Sequence, residues 1–310
     1  MKRLNLKNRF TRLARKAGLF LVVLLILAVG SCSGATPLAT SGLHVLATTS
    51  IVADVVAQVG GQYINLTTLL PVGTDPHEFS PRPQDAAALA DADIIFANGA
   101  GLESFLPSLL ENAGASGKVV EVSTGIPLLS LPGTTGSDPH TWMDPNNVIV
   151  WTDNIAVALA NADPAHASEY QTNASTYAVA LRDLDAWIRT QVDQVPPSNR
   201  LLISDHAVLG YFAARYDFTQ AGTITGSFSS EAAPSAQELA ALEDKIRADG
   251  VRAFFVTEAS NQALVDQIAA DTAIQAVWLY HASLTDASGP APTYLDFVRY
   301  NVNAIVKALK

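Results

Sequence analysis

Apolar and polar positions along this chain change period in a regular way. Short apolar runs at 45–48, 64–70, 92–97 and 119–122 read as strands. Between them, 51–59, 83–90 and 102–112 carry the wider spacing of helices. Gly60-Gly61 and Gly114 stop two of these helices, and Pro83 suits the first turn of the other. The rhythm restarts further on. Residues 200–204, 218–223, 251–257 and 276–280 read as strands, and 208–215, 235–248, 262–270 and 294–309 as helices. Ser235 with Glu238 three positions on is a capping-box pattern. Strand-then-helix alternation predicts parallel sheets covered by helices.

A longer helix separates the two halves. Asp163 suits an N-cap and Pro164 a first helical position, and no breaker follows until Pro196. Tyr170, Tyr177, Leu181, Leu184, Ile188, Val192 and Val195 fall on one helical face. Positions 164–195 would span roughly 48 Å as an α-helix. The expected fold is therefore α/β: two lobes, each a mainly parallel sheet flanked by helices, joined by one long rigid helix. The expected boundaries are 43–162 for the N-terminal lobe, 163–195 for the linking helix and 196–310 for the C-terminal lobe.

The N-terminus has a different character. Residues 2–16 hold seven basic residues and no acid, 17–29 are apolar, and Gly30-Ser31-Cys32 follows. That is the form of a secretory signal over 1–31. Cys32 is the only cysteine, so no disulfide forms within the chain. Its setting resembles a bacterial lipobox, which implies lipidation at Cys32 and a Ser/Gly/Thr tether over 32–42. Removing 1–31 changes the charge. The chain has 19 Lys+Arg and 29 Asp+Glu, and the leader takes 7 of the basic residues, leaving 12 against 29, or −17. Such a body disfavours nucleic acid and anionic membrane surfaces. Contact with the membrane is expected through the N-terminal lipid only.

Candidate chemistry rests on six histidines: His44, His77, His140, His166, His206 and His281. Two lie in an identical tripeptide, Asp75-Pro76-His77 and Asp138-Pro139-His140. Each leaves a turn stiffened by proline beyond a predicted strand. His206 and His281 also follow strand ends, in the second half. Parallel sheets bind ligands at the carboxyl ends of their strands. Imidazoles drawn there from both halves suit a transition metal such as zinc. His44, inside the first strand, and His166, at the start of the long helix, read as structural.

These segments resemble the solute-binding lipoproteins of zinc and manganese ABC transporters, a cluster that includes streptococcal adhesin-like lipoproteins. The resemblance is carried by residues 73–83 (GTDPHEFSPRP), 138–145 (DPHTWMDP), 206–212 (HAVLGYF) and 289–296 (GPAPTYLD), and it runs from about His44 to the C-terminus. It implies metal ligands at His77, His140 and His206, zinc as the favoured metal and manganese as the second candidate. It further implies an ABC permease as partner and a monomer lying extracytoplasmically. The family's fourth ligand is an aspartate before a Ser-Leu pair. Here Ala282 precedes Ser283-Leu284, leaving His281, Asp286 or water to complete the shell. On an extended strand His281 would point away from position 282. Residues 128–137 hold no histidine, so the His-rich collecting loop of some zinc members is missing.

Neutral imidazoles would bind the metal, with Asp75, Asp144 and Asp205 as acceptors behind them. Affinity would fall below about pH 6 as the rings protonate. The long helix would limit opening to a small rocking, with release on docking to the permease. A zinc hydrolase with Glu78 as general base is the rival of another class, although no His-Glu-x-x-His helix or Gly-x-Ser-x-Gly elbow is present. A surface adhesin lipoprotein is the third reading.

Overall fold

The computed structural model describes residues 42–130, 136–257 and 260–310. The signal segment, Cys32 and nearly all of the expected tether lie outside the described residues. No helix among the described residues is long and apolar enough to cross a membrane.

The first sheet contains β1 (Leu43–Ala47), β2 (Ile64–Thr68), β3 (Ile94–Ala97) and β4 (Val119–Glu121), all parallel, in the order β2-β1-β3-β4. The second contains β5 (Leu201–Ser204), β6 (Thr219–Thr223), β7 (Ala253–Val256) and β8 (Gln275–Trp278), again parallel, in the order β6-β5-β7-β8. The two halves thus repeat one topology. In each, the order reverses beside the first strand, which is where a parallel sheet opens a crevice for a ligand.

Period-two alternation decides which core each strand residue enters. Val45, Ala47 and Phe96 face one core while Leu46, Ile95 and Ala97 face another, under α2 (Pro83–Asp91) and α3 (Leu106–Ala113). In the second sheet Ala253 and Phe255 face inward, and Phe254 and Val256 pack outward against α7 (Ala236–Asp249) and α8 (Gln262–Thr272). The inward sides of both sheets meet in one continuous core. It also includes α1 (Ser50–Gly60), α4 (Pro145–Ala162), α5 (Ala167–Val192), α6 (Gly210–Tyr216) and α9 (Tyr294–Leu309). The halves therefore share their largest core. Swinging them widely apart would expose that apolar surface to water, at about 25 cal/mol per Å².

The long helix is present but shorter than its sequence pattern suggests. Pro164–His166 form a separate 3-10 turn and α5 ends at Val192, so its 26 residues span roughly 39 Å. Asp163 does not cap the helix backbone. Its Oδ2 takes His166 Nδ1 at 2.6 Å and the Tyr170 hydroxyl at 2.8 Å, which fixes the turn instead. Nor does α5 stand alone. It packs against α4, a helix absent from the elements expected from the sequence. Asp144 caps α4 by accepting the Asn146 N–H, Pro145 takes its first position, and Val148, Trp151, Ile155 and Leu159 bury one face. α3 starts four residues later than expected. Gly99, Ala100 and Gly101 all have positive φ, which no helix accommodates, before the chain reaches Leu106.

Candidate metal centre

Each predicted histidine of the site sits on a loop at the carboxyl end of a strand. His77 follows β2, His140 follows β4, His206 follows β5 by two residues, and His281 follows β8 by three. In both Asp-Pro-His tripeptides the aspartate accepts the histidine's own backbone N–H, His77 N to Asp75 Oδ1 at 2.8 Å and His140 N to Asp138 Oδ1 at 2.9 Å. This local turn, together with the fixed φ of proline, aims the ring before any tertiary contact forms.

The structure brings three of these rings together. His77, His140 and His206 can each offer a nitrogen such that all three lie within 4.8 Å of one another. His77 Nε2 and His140 Nε2 are 3.2 Å apart. Two nitrogens bound at 2.0–2.1 Å to a tetrahedral zinc would be roughly 3.3 Å apart. His206 Nε2 is buried with no hydrogen-bond partner. A second trio, Asp205, His206 and His281, shares His206 with the first.

Carboxylates stand behind two of the rings. His140 Nδ1 lies 2.7 Å from Asp138 Oδ1, and His206 Nδ1 lies 2.9 Å from Asp205 Oδ1. Such contacts fix the tautomer and leave Nε2 free to coordinate. Asp205 Oδ2 is held in turn by the Thr257 and Ser260 hydroxyls at 2.8 and 2.6 Å. Of the three acceptors expected from sequence, only Asp205 reaches a ring. Asp75 serves the His77 backbone and takes the Ser230 hydroxyl at 2.7 Å, which ties the His77 loop to the second half. Asp144 is committed to capping α4 and lies 3.8 Å from Arg215. Asp138, not among the expected acceptors, stands behind His140 instead, and its place in the repeated tripeptide is the sequence signal for it.

Burial sets the protonation of the site. Desolvation lowers His77 from 6.5 to about 4, with His206 and His281 adding to the effect and Asp75 opposing it. Desolvation likewise holds His140 well below 6.5, helped by His206 and His77. Burial pushes Asp138 up to about 7 against the His140 backbone hydrogen bond. Burial thus disfavours charge on both partners of the 2.7 Å contact, the carboxyl of Asp138 and the ring of His140. Burial alone would raise Asp205, but the neighbouring His281 and His206 outweigh it and hold the carboxyl well below its usual range. Before any ion arrives, His77 and His140 present uncharged imidazoles.

Buried groups brace the loops. Glu103 accepts from Thr48 Oγ1 and Asn98 N, both at 2.7 Å, and from Gly99 N at 3.1 Å. Asn98 Nδ2 then donates to the Pro139 carbonyl at 3.0 Å, under His140. Trp142 Nε1 donates to the His281 carbonyl at 2.7 Å, and the Tyr294 hydroxyl to the Trp142 carbonyl at 2.7 Å. The Ser283 hydroxyl accepts Gly73 N at 2.8 Å and meets Ser50 Oγ at 3.1 Å. Loops of both halves are thereby stitched together around the histidines. Trp142, Tyr294 and Ser283 belong to segments that carry the resemblance, but nothing local in the sequence pairs these groups with their distant partners.

The remaining candidates fall elsewhere. His44 is exposed on β1, and His166 stacks on Tyr63 with ring centroids 4.3 Å apart. Asp286 is exposed and accepts from Ser288 and Gly289 in its own loop, so it does not complete the shell. β8 ends at Trp278, so strand alternation does not govern His281, whose ring centroid lies 4.7 Å from that of His206. Glu78 is exposed, beside Asp75 and Glu231, not set against the three rings as a general base would be.

The sequence matches the family model of the zinc-uptake complex component A, periplasmic (ZnuA), over residues 45–308. It is 31% identical to the manganese-binding lipoprotein MntA of Halalkalibacterium halodurans, covering 94% of this chain and 97% of that one. It is 28% identical to the iron ABC transporter substrate-binding lipoprotein MtsA of Streptococcus pyogenes, covering 96% and 98%. Among solved structures, the periplasmic zinc-binding protein TroA of Treponema pallidum superposes with a TM-score of 0.80 at 26% identity, over 86% of this chain and 99% of that one. The manganese-bound periplasmic metal-binding protein of Candidatus Liberibacter asiaticus gives 0.76 at 25%, over 86% and 100%. These relatives are substrate-binding transport proteins, not enzymes. Matched along nearly all of its described length, the chain belongs to the zinc-uptake complex component A family, the metal-binding substrate-binding proteins of ABC transporters.

Proposed function

We propose that this protein captures a divalent transition metal through His77, His140 and His206 and delivers it to an ABC permease for import, with zinc as the favoured cargo. The observation that carries the reading is the convergence of three imidazoles from three separate loops within 4.8 Å. Zinc is favoured because the trio is all nitrogen, and imidazole sites bind zinc above manganese and iron in the general order of affinities. Relatives named for manganese and iron make the metal the point to test. The protein acts outside the cytoplasm as a monomer. Lipid on Cys32 holds it to the membrane after 1–31 are removed and 32–42 serve as tether. The working division is 43–162 and 196–310 as the two metal-binding lobes, with 163–195 linking them.

Capture needs little motion. His77 and His140 are pre-aimed by their Asp-Pro-His turns and held uncharged by burial. Release follows when docking shifts the loops that Ser230 and Ser283 tie across the halves. Titration calorimetry of the mature protein with zinc and with manganese tests the reading. One tight zinc site, abolished in His140→Ala, is the expected result. Zinc affinity unchanged in His77→Ala, His140→Ala and His206→Ala would remove the basis of the proposal.

A further inference from the structure

The second half reaches into the His140 loop through one hydroxyl. α6 begins at Gly210, four residues after His206, and its Tyr211 is only 5% exposed. Leu129 and Asp138 face each other across the loop that leads to His140, and Asp138 N donates to the Leu129 carbonyl at 2.8 Å. The return bond of that backbone pair runs through Tyr211. Its hydroxyl accepts Leu129 N at 3.2 Å and donates to the Asp138 carbonyl at 3.0 Å. A phenol from one half thus completes a backbone pair of the other. Phenylalanine in its place would fill the same space and leave a backbone N–H and a carbonyl without partners.

Asp138 is also the carboxylate behind His140, its Oδ1 2.7 Å from the ring Nδ1. Its other oxygen lies so near α6 that a Cβ on Gly210 would come within 2.5 Å of it. The far end of α6 is fixed as well. Arg215 Nε and Nη2 each donate to Asp185 of α5 at 3.0 Å, and the Tyr216 hydroxyl donates to it at 2.9 Å. Asp185 also accepts from Asn146 Nδ2 at 3.2 Å, at the start of the helix that follows the His140 motif. α6 is therefore held at both ends by elements that lead to or from His140, while its own start continues from His206.

We infer that Tyr211 is a positioning residue of the metal site, locking the Asp138 carboxylate and the His140 ring in register with the His206 loop. This role rests on the three-imidazole capture proposed above. Tyr211 is not a donor to the ion and acts through Asp138. The peptide joining Asp138 to Pro139 is planar, so holding its carbonyl fixes the backbone on which both the carboxylate and the next ring are mounted. A metal site keeps its affinity only while its ligands stay within about 0.5 Å of their required places. By linkage, an ion that depends on this tie must strengthen it in return by the same factor.

Chelator competition with zinc on the mature Tyr211→Phe protein tests the role, and binding should be about tenfold weaker, the low end for loss of an outer-shell partner. In an Asp138→Asn background the same substitution should cost less than about twofold, because the group it acts through is gone. In the wild-type protein, exchange of the Leu129 amide hydrogen should slow about tenfold on zinc loading, a readout that requires no variant to fold. Wild-type zinc affinity in Tyr211→Phe overturns the inference, and so does a loss that simply adds to that of Asp138→Asn. Leu129 exchange indifferent to zinc overturns it equally. In each of these cases abolished binding in His140→Ala leaves the capture site standing, whereas unchanged binding in His140→Ala overturns both readings.

Discussion

Lowering the pH from 7 to 5 should unload the metal far less than histidine chemistry alone would suggest. An imidazole titrating at 6.5 loses a factor of about 25 in metal affinity over that interval, because protons compete for the same lone pair. Three such ligands would lose roughly ten-thousandfold, which is the basis for expecting release below about pH 6. Burial changes the sum. With His77 at about 4, only a tenth of it is protonated at pH 5, and its share of the loss is about 1.1-fold. His140 lies well below 6.5 for the same reason. His77 is thus nearly silent over this interval and His140 acts in the same direction, so the total loss should fall well short of ten-thousandfold.

The cost appears instead in the metal-free fold. The unfolded chain takes up a proton on His77 near 6.5 and the folded chain only near 4. Stability from this group is therefore complete above about pH 6.5 and is lost as the pH falls toward 4. Between pH 7 and 5 the loss from His77 is about 2 kcal/mol, with His140 acting in the same direction. Chelator competition at fixed free zinc, run from pH 7 to 5, measures the first effect. Urea unfolding of the metal-free protein measures the second. A thousandfold loss of affinity by pH 5, with unchanged apo stability, would refute the claim that burial keeps these rings neutral.

Other perturbations follow from single contacts. Asp138→Asn removes the carboxylate 2.7 Å behind His140 and should weaken zinc binding about 10–100-fold in a chelator competition; an unchanged constant would deny it an orienting role. Trp142→Phe keeps an aromatic side chain but deletes the donor to the His281 carbonyl and part of the buried indole, so chemical unfolding should show a loss of at least about 1–3 kcal/mol. Gly210→Ala would place a methyl carbon 2.5 Å from Asp138 Oδ2, and the shift this forces should cost about 1–3 kcal/mol of stability and weaken metal binding. Leu184→Ala on α5 empties a fully buried position in the core shared by both halves and should cost about 2–5 kcal/mol in one cooperative transition; two separate transitions would mean that the halves do not share that core.

The sequence by itself determined the repeating unit and the donor type. Period-two and helical spacings are local, so the strands and most helices were legible within a few residues, and the Asp-Pro-His tripeptides announced two pre-aimed rings. α4 escaped notice because its apolar face runs on from the His140 motif without a separating turn signal, and α5 lost a turn at its start because Asp163 binds side chains, not the helix backbone. Only the tertiary structure decided which carboxylate stands behind which ring, that the two halves close over one core, and that His281 lies unbonded beside His206. Those facts depend on groups far apart in sequence meeting at hydrogen-bond distance. Burial there sets both charge and orientation, and no local pattern of residues encodes how deeply a side chain will be buried.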